Sequence, residues 1–332
     1  LWHVSNLYHI PQQEKLAALL VEHSCFDQVF FCNSGAEANE AAIKLARRYA
    51  QHVLGANKYE VVTFKQSFHG RTLGTLTATG QEKVQIGYQP LPKGFRYLPY
   101  NDMAALDELV KEETCAVLLE LVQGEGGVTP ADPEWIKALY TLCQENNILF
   151  MVDEIQTGMG RTGRLFAYEH YGIEPDVMTL AKGLGSGFPV GAMLAKKEVA
   201  KAFDHGSHGS TFGGNPLAMT AGLATVEYIL QEGIIEHAAQ VGEYLAEQLS
   251  SLKAMFPEIK DVRGKGLMQG IVYPGKAADV VQEARKRRVL VLTAGTDVVR
   301  ILPPLIITKQ EVDQFISVMK EVFHSLTRDV NG

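Results

Sequence analysis

Short apolar runs alternate with longer amphipathic segments along most of the chain, and this alternation constrains the fold more than any other feature of the sequence. A short apolar run bounded by polar residues is typical of a buried strand, whereas the longer segments have helical spacing. The predicted strands are Val29–Cys32, Glu60–Phe64, Ala116–Leu121, Ile148–Val152, Val177–Leu180 and Ala192–Ala195, and the predicted helices between them are Glu37–Ala50 and Pro133–Glu145. Strands and helices that alternate in this way predict an α/β fold around a largely parallel sheet.

The C-terminal part of the chain predicts a second domain. A long helical stretch runs from about Pro216 to Leu252 and is broken near Gly233. Beyond it, a second αβ pattern continues through the segments Asp261–Tyr273, Ala277–Arg288, Val289–Leu292 and Val299–Leu302 and a final helix from Lys309. We therefore expect a large domain over residues 1–222, followed by a connecting helix and a smaller C-terminal domain over residues 223–332.

Composition excludes several classes of function. The formal net charge is −7 and the chain has no long basic run, which argues against a nucleic-acid surface because phosphate binding needs clustered Lys and Arg. No apolar stretch approaches the roughly 20 residues of a membrane-spanning helix, and no signal-peptide pattern is present. The four cysteines have no C-x-x-C spacing, so we expect neither a disulfide scaffold nor a zinc site, and a reducing cytoplasm fits best.

One lysine stands out because an apolar strand leads directly into it. Lys182 follows the predicted strand Val177–Leu180 and opens a glycine-rich turn, Gly183–Gly187. Desolvation there would lower the pKa of the amine and make it a nucleophile, as a Schiff-base lysine requires. A surface lysine on a loop is the commoner fate of this residue type. The apolar and glycine neighbours favour the nucleophile.

Polar residues also follow two other predicted strands. Asp153 and Glu154 come after the apolar run that ends at Val152, and ligands of open α/β sheets bind at the carboxyl ends of strands. A cap on the next helix is the simpler explanation of Asp153 taken alone. The segment Asn33-Ser34-Gly35 opens a helix, where free N–H groups and the helix dipole suit a phosphate. An anion cradle, an acid and a lysine are thus all predicted at strand ends.

Six segments together carry a resemblance to the class III pyridoxal-phosphate aminotransferases. They are NSGAEANEAAIK, FKQSFHGRT, VDEIQTGMGRTG, LAKGLGSGFPVGA, HGSTFGGNPLA and VVRILPPL, in that order, and they cover nearly the whole chain. FHGRT with QGEGG and the N-terminal LWHVSNLYHIPQQEKLA resemble the acetylornithine aminotransferase branch. The resemblance implies the PLP-dependent transferase fold type I and a homodimer with shared active sites. The family usually has an N-terminal segment of several tens of residues that closes over the active site, and this sequence departs from the family in beginning after it.

The resemblance also implies roles for individual residues. Lys182 is similar to the family's Schiff-base lysine, which also moves the proton, and Asp153 to the acid that keeps the pyridine nitrogen protonated, so that the ring is an electron sink. Gly35 and Ala36 bind the phosphate through N–H groups. The implied cofactor contacts are Gly35, Ala36, Phe68, Asp153, Glu154, Ile155, Gln156, Lys182 and Thr211, the last from the neighbouring subunit.

Four further residues resemble the family's substrate contacts. Arg71 holds the α-carboxylate of acetylornithine and the distal carboxylate of glutamate, and Arg300 holds the α-carboxylate of glutamate, since a guanidinium pairs with a carboxylate through two bonds. Glu125 neutralises Arg300 when the donor brings no carboxylate there. Ser210 contacts the donor from the neighbouring subunit. An ordinary structural ion pair is the alternative for Glu125 and Arg300.

The implied reaction transfers the terminal amino group of N-acetylornithine to 2-oxoglutarate by a ping-pong mechanism. Its products are N-acetylglutamate semialdehyde and glutamate, which places it in arginine biosynthesis. Alternatives are an ornithine, succinylornithine or 4-aminobutyrate aminotransferase, a glutamate-semialdehyde aminomutase, or a protein that binds the cofactor but is inactive. No metal is expected, because His69, His205 and His208 lack zinc-site spacing, and we predict them to be polar loop residues.

Overall fold

The structure is a computed structural model and describes residues 1–328. Its strands are β1 (Gln28–Cys32), β2 (Glu60–Phe64), β3 (Phe95–Leu98), β4 (Thr114–Leu119), β5 (Val122–Gln123), β6 (Thr129–Pro130), β7 (Leu149–Asp153), β8 (Val177–Leu180), β9 (Gly191–Ala195), β10 (Asp261–Lys265), β11 (Met268–Val272), β12 (Leu292–Ala294) and β13 (Val298–Ile301). Its α-helices are α1 (Pro11–Glu22), α2 (Gly35–Arg48), α3 (Leu73–Ala78), α4 (Glu82–Gln85), α5 (Pro133–Glu145), α6 (Lys197–Ala200), α7 (Pro216–Gln231), α8 (Ile234–Met255), α9 (Ala277–Lys286) and α10 (Lys309–Arg328).

The chain divides into two compact units. Unit 1 comprises Leu1–Leu121, Ala131–Met159 and Ala167–Gln231, and unit 2 comprises Val122–Pro130, Gly160–Phe166 and the chain from Glu232 onward. These ranges differ from the predicted ones, 1–222 and 223–332, of which residues 329–332 lie outside the described part. The whole of α7 belongs to unit 1, and unit 2 includes two short earlier segments that a linear division cannot assign to it.

Unit 1 is built on a mixed sheet with the strand order β1-β9-β8-β7-β4-β2-β3. The neighbours from β8 to β3 pair in parallel, and β9 is antiparallel to both β1 and β8. Because β9 alone is reversed, the carboxyl ends of all the other strands meet at one edge. That edge is where an open α/β sheet binds its ligands.

Helix α2 packs on β8 and β9, and four of the seven residues that it buries are alanines. Ala38, Ala41, Ala42 and Ala46 are fully buried. Small side chains bring the helix axis near the sheet, so the first turn of α2 lies beside the ends of the strands. The packing therefore positions the predicted anion cradle.

Unit 2 has its own sheet and core. Its antiparallel sheet has the order β10-β11-β13-β12, and β5 pairs with β6 as a small separate hairpin. Helix α10 contributes Val312, Ile316, Met319 and Phe323 to the buried core at helical spacing, together with residues of α8 and α9. The predicted break near Gly233 is confirmed: Gly233 has a φ of 65°, a left-handed conformation that glycine adopts without strain, between α7 and α8.

Within residues 1–328, no helix is both long and apolar enough to cross a bilayer.

Candidate active site

A cavity of about 380 Å³ lies at the carboxyl edge of the unit 1 sheet, within the usual size range of small-molecule sites. It is lined by residues that follow β1, β2, β4, β7 and β8 and by the segment that leads into β9. Seven predicted cofactor contacts line it: Gly35, Ala36, Phe68, Asp153, Ile155, Gln156 and Lys182. The fold therefore brings together residues that are as far apart as 147 positions in the sequence, from residue 35 to residue 182.

The start of α2 forms one wall of the cavity and is shaped as an anion cradle. Ser34 caps the helix by accepting the N–H of Glu37 at 3.2 Å, and Glu37 accepts the N–H of Asn33 at 2.8 Å. The N–H groups of Gly35 and Ala36 lie in the first turn, where the helix itself offers no acceptor. A Cβ at Gly35 would lie 2.7 Å from Cδ1 of Ile155, so a larger residue there would have to displace the Ile155 side chain. These features fit a phosphate group.

Asp153 is buried at the end of β7 and is surrounded by donors. Its Oδ2 lies 2.8 Å from Nδ1 of His69 and accepts Nδ2 of Asn39 at 2.8 Å. Its Oδ1 accepts the N–H of Ile155 at 3.1 Å. A carboxylate with three donors and a wall of the cavity beside it is suited to pair with a cationic ring nitrogen.

Lys182 begins the turn after β8 in an uncommon backbone conformation. Its φ is 39°, on the left-handed side that non-glycine residues seldom adopt. β8 pairs in parallel with β7, with Asp153 opposite Thr179, so the ends of the two strands present Asp153 and Lys182 to the same cavity. Backbone strain of this kind concentrates at functional positions.

Glu120 lines the same cavity, and the sequence interpretation missed it. Its carboxylate is buried and its Oε1 accepts the N–H of Phe68 at 2.9 Å, which holds the loop that carries Phe68. β4 and β7 pair in parallel with Leu119 opposite Val152, so Glu120 and Asp153 occupy equivalent positions after neighbouring strands. The available signal was a carboxylate directly after the apolar run Cys115–Leu119.

Glu154 follows Asp153 in sequence, but its side chain serves a different part of unit 1. Its carboxylate accepts the hydroxyl of Thr157 and the N–H groups of Ala167 and Tyr168, each at 2.8 Å. Burial raises its pKa to about 7. Glu154 does not occur among the residues that line the cavity. This geometry gives the predicted cofactor contact no support, because the carboxylate bonds Ala167 and Tyr168 and does not line the cavity.

His69 corrects one expectation. It lies in a loop as predicted, but its side chain is fully buried, bonds Asp153 and lines the cavity, so it is part of the site. His205 is exposed, and His208 lies 2.8 Å from Nζ of Lys44. Among residues 1–328, no group of three His, Cys, Asp or Glu side chains is placed to hold a metal ion.

Three of the other predicted residues lie in unit 1 but do not line the cavity. Arg71 is exposed, with its guanidinium carbon 5.9 Å from the ring centre of Phe68. Ser210 accepts Nδ2 of Asn33 at 3.0 Å, a bond within one chain. Thr211 is exposed. Any contact of Thr211 with a cofactor in another subunit stays a prediction.

Glu125 and Arg300 both lie in unit 2 and form an ion pair. Nη1 of Arg300 donates to Oε1 of Glu125 at 2.6 Å, and Arg300 lies in β13. The Arg300 side chain is 8% exposed and that of Glu125 is 35% exposed. The predicted pairing is thus present, while the assigned role in substrate binding stays a prediction.

The family model described as "Aminotransferase class-III" matches residues 1–323 of the chain. The chain belongs to the class-III aminotransferases. This aminotransferase is 57% identical to an acetylornithine aminotransferase of Oceanobacillus iheyensis over 100% of its own length and 83% of the relative's. It is 52% identical to an acetylornithine aminotransferase of Bacillus subtilis over 96% of its own length and 82% of the relative's.

Solved structures of other aminotransferases have the same fold. An ornithine aminotransferase from Toxoplasma gondii superposes with a TM-score of 0.95 at 30% identity, covering 99% of this chain and 80% of that one. An N-acetylornithine aminotransferase from Stenotrophomonas maltophilia superposes with a TM-score of 0.85 at 36% identity, covering 99% of this chain and 84% of that one. The predicted fold class is confirmed.

Proposed function

We propose that this class-III aminotransferase uses pyridoxal phosphate to move the terminal amino group of N-acetylornithine to 2-oxoglutarate. The products are N-acetylglutamate semialdehyde and glutamate. The observation that carries the proposal is the single cavity that contains Lys182, Asp153 and the open start of α2. Relatives named acetylornithine aminotransferase, at 57% and 52% identity, support the choice of donor.

The residues of the cavity fit pyridoxal phosphate part by part. The N–H groups of Gly35 and Ala36 bind the phosphate, and the positive end of the α2 dipole favours its charge. Asp153 pairs with the ring nitrogen and keeps it protonated. Phe68 and Ile155 bind the ring faces, and Gln156 donates to the ring oxygen. When bound, the cofactor supplies a ring that accepts the electron pair released on deprotonation of the substrate carbon.

Lys182 has two tasks in this proposal. Its ε-amine would hold the cofactor covalently, as a Schiff-base lysine does. The same amine would accept and return the proton of the substrate carbon, which is general acid–base work by one positioned group. The turn that begins at Lys182 keeps the amine at the cavity wall for both tasks.

Carboxylate recognition is assigned to two arginines. Arg71 binds the α-carboxylate of acetylornithine and the distal carboxylate of glutamate, and Arg300 binds the α-carboxylate of glutamate. Glu125 pairs with Arg300 while the donor is bound, because the terminal amine of the donor has no carboxylate beside it. The 2.6 Å ion pair between these residues supports that assignment.

A homodimer with shared sites is part of the proposal. Thr211 and Ser210 are assigned to the active site of the partner, and large apolar side chains near them in the chain are exposed: Phe212 is 58% exposed and Leu217 41%. Exposed apolar groups of this size favour coverage by a second copy. Light scattering would measure the mass of the oligomer, and a fully active monomer would contradict shared sites.

A cytoplasmic location is also part of the proposal, and the four free cysteines support it.

The absorption spectrum of the protein with pyridoxal phosphate tests the proposal. We expect a visible band that N-acetylornithine removes and 2-oxoglutarate restores, since these additions drive the two half-reactions separately. A band that responds to ornithine, succinylornithine or 4-aminobutyrate but not to N-acetylornithine would keep the cofactor and reject the donor. A band that no amine alters would indicate a protein that binds the cofactor without activity.

A further inference from the structure

Three polar side chains form a buried network behind Asp153. Asn39 on α2 and Thr179 on β8 are fully buried, and His69 is 1% exposed. Asn39 donates through Nδ2 to Asp153 Oδ2 and to the backbone oxygen of His69, both at 2.8 Å, and its Oδ1 accepts the hydroxyl of Thr179 at 2.7 Å. The backbone N–H of His69 is held by Thr79 at 2.9 Å.

The contacts of Asn39 fix which way its amide points. Its Nδ2 faces a carboxylate oxygen and a carbonyl oxygen, neither of which can donate, so the opposite orientation would place three acceptors together. Thr179 lies opposite Asp153 in the parallel register of β7 and β8 and donates its hydroxyl to the other end of the amide. A donor is therefore directed at Asp153 from a helix, and the neighbouring strand keeps it there.

The contacts of His69 fix its tautomer. Its Nδ1 lies 2.8 Å from Asp153, and its Nε2 is buried with no hydrogen-bond partner. Because the carboxylate oxygen of Asp153 can only accept, Nδ1 of His69 carries the hydrogen and donates. Both side-chain donors then meet Oδ2, and such bonds are stronger to a carboxylate than to a neutral group.

We propose that Asn39, oriented by Thr179 and assisted by His69, is a positioning residue that holds Oδ2 of Asp153 and keeps the carboxylate directed at the cofactor ring. This inference rests on the proposed function, because it assigns Asp153 to the ring nitrogen. Asn39 contacts the acid rather than the substrate. It acts by directing a hydrogen-bond donor at Oδ2 of Asp153 from the side of α2.

Two substitutions at Asn39 separate positioning from packing. Asn39→Asp keeps the volume but replaces the donor with an acceptor beside Asp153, so the two carboxyls must share a proton. Asn39→Ala removes the donor and leaves a small cavity. We expect Asn39→Asp to weaken pyridoxal phosphate binding about 100-fold and Asn39→Ala about 10-fold, since a hydrogen bond to a charged group is involved. A packing role predicts the reverse order.

The measurement is the dissociation constant of pyridoxal phosphate from absorbance titration of the full-length protein, beside the unfolding temperature without cofactor. A positioning role changes the dissociation constant more than it changes the unfolding of the cofactor-free protein. Binding that is equal to wild type in both variants, or weaker in Asn39→Ala than in Asn39→Asp, would overturn the inference.

If Asn39→Asp fails to fold, a second pair of variants tests the positioning role of Asn39. Thr179→Val removes only the hydroxyl that orients Asn39. Thr63→Val is its matched control, because Thr63 is an equally buried threonine of the same sheet whose hydroxyl has no hydrogen-bond partner. We expect Thr179→Val to weaken cofactor binding about 3- to 10-fold and Thr63→Val to leave it unchanged. Equal affinities in this pair would reject the role of Asn39.

These results separate the inference from the proposed function. A wild-type protein that binds no pyridoxal phosphate overturns both. Wild-type binding with unchanged affinity in the Asn39 and Thr179 variants overturns the inference alone.

Discussion

The charged groups of the unit 1 cavity and the ion pair of unit 2 are held in different ways. Asp153 is 3% exposed and accepts three hydrogen bonds from three different residues. Glu125 has a side chain that is 35% exposed and accepts a 2.6 Å bond from Arg300. Under the proposed function, Asp153 serves both half-reactions and can be fixed, whereas Glu125 serves one substrate and must be free to exchange its partner. The difference predicts which substitutions affect the whole reaction and which affect half of it.

Lys182→Ala gives the largest expected effect because the proposed function assigns the Lys182 amine to both half-reactions. We expect kcat/KM to fall at least about 1,000-fold with either substrate, as for the loss of a nucleophile that is also the general base. Stopped-flow measurement of each half-reaction checks this. Lys65→Ala is the matched control, since Lys65 directly follows β2 and does not line the cavity. A borohydride-reducible adduct at the native site of Lys182→Ala would show that Lys182 is not the attachment point.

Arg300→Ala removes one partner of the ion pair in unit 2 and tests its role in binding 2-oxoglutarate. We expect KM for 2-oxoglutarate to rise about 10- to 100-fold, the value of a charge-assisted pair, while the acetylornithine half-reaction changes much less. Arg300→Lys should recover only part of the affinity, because an ammonium lacks the planar fork. Equal losses in both half-reactions would mean that the Glu125–Arg300 pair is structural.

Glu125→Gln is the complementary change and has a smaller expected effect. It leaves Arg300 without a neutralising charge while the donor is bound, so we expect the acetylornithine half-reaction to slow about 5-fold, a modest value because Glu125 is partly exposed. Binding of 2-oxoglutarate should stay the same or tighten. The two half-reaction rates, measured separately, check this, and a slower reaction with 2-oxoglutarate would refute the exchange of partners.

The sequence predicted the cavity well because its residues follow short apolar strands. The end of a strand can be recognised in a single sequence. The parallel arrangement of the strands then brings Gly35, Asp153 and Lys182 to one edge of the sheet. The network of Asn39 and Thr179 could not be predicted, since it depends on how close α2 packs to β8. Helix α1 and strand β3 were also missed. Phe95–Leu98 is a short edge strand, and α1 has a weak apolar face with only Leu16 and Leu20 buried.

The reversed direction of β9 could not be predicted from the sequence pattern either. Its five residues are all buried, and a fully apolar strand has the same appearance in either direction. The insertion of Val122–Pro130 into unit 2 was missed for a related reason, because β5 and β6 have only two residues each. Long periodic segments were predicted correctly, and direction and long-range pairing required the structure.

Glu154→Gln tests whether Glu154 differs in role from its neighbour Asp153 in unit 1, and it has the smallest expected effect on catalysis. Glu154 is buried like Asp153 but bonds the backbone of Ala167 and Tyr168, so we expect the affinity for pyridoxal phosphate to stay within about twofold of wild type. The effect that we expect from this substitution is on the pH dependence of the free energy of unfolding. The pKa of Glu154 is about 7 in the folded protein against 4.5 ordinarily, so the folded state holds the proton longer as pH rises.

The contribution of Glu154 to stability is therefore complete below about pH 4.5 and is lost as pH rises through about 7. That loss amounts to about 3 kcal/mol for a shift of this size. Urea unfolding at about pH 5 and about pH 8 measures it: wild type should lose more stability than Glu154→Gln, whose amide does not titrate. Parallel losses in the two proteins would mean that Glu154 is ionised throughout, and a large loss of cofactor affinity would return it to the cofactor site beside Asp153.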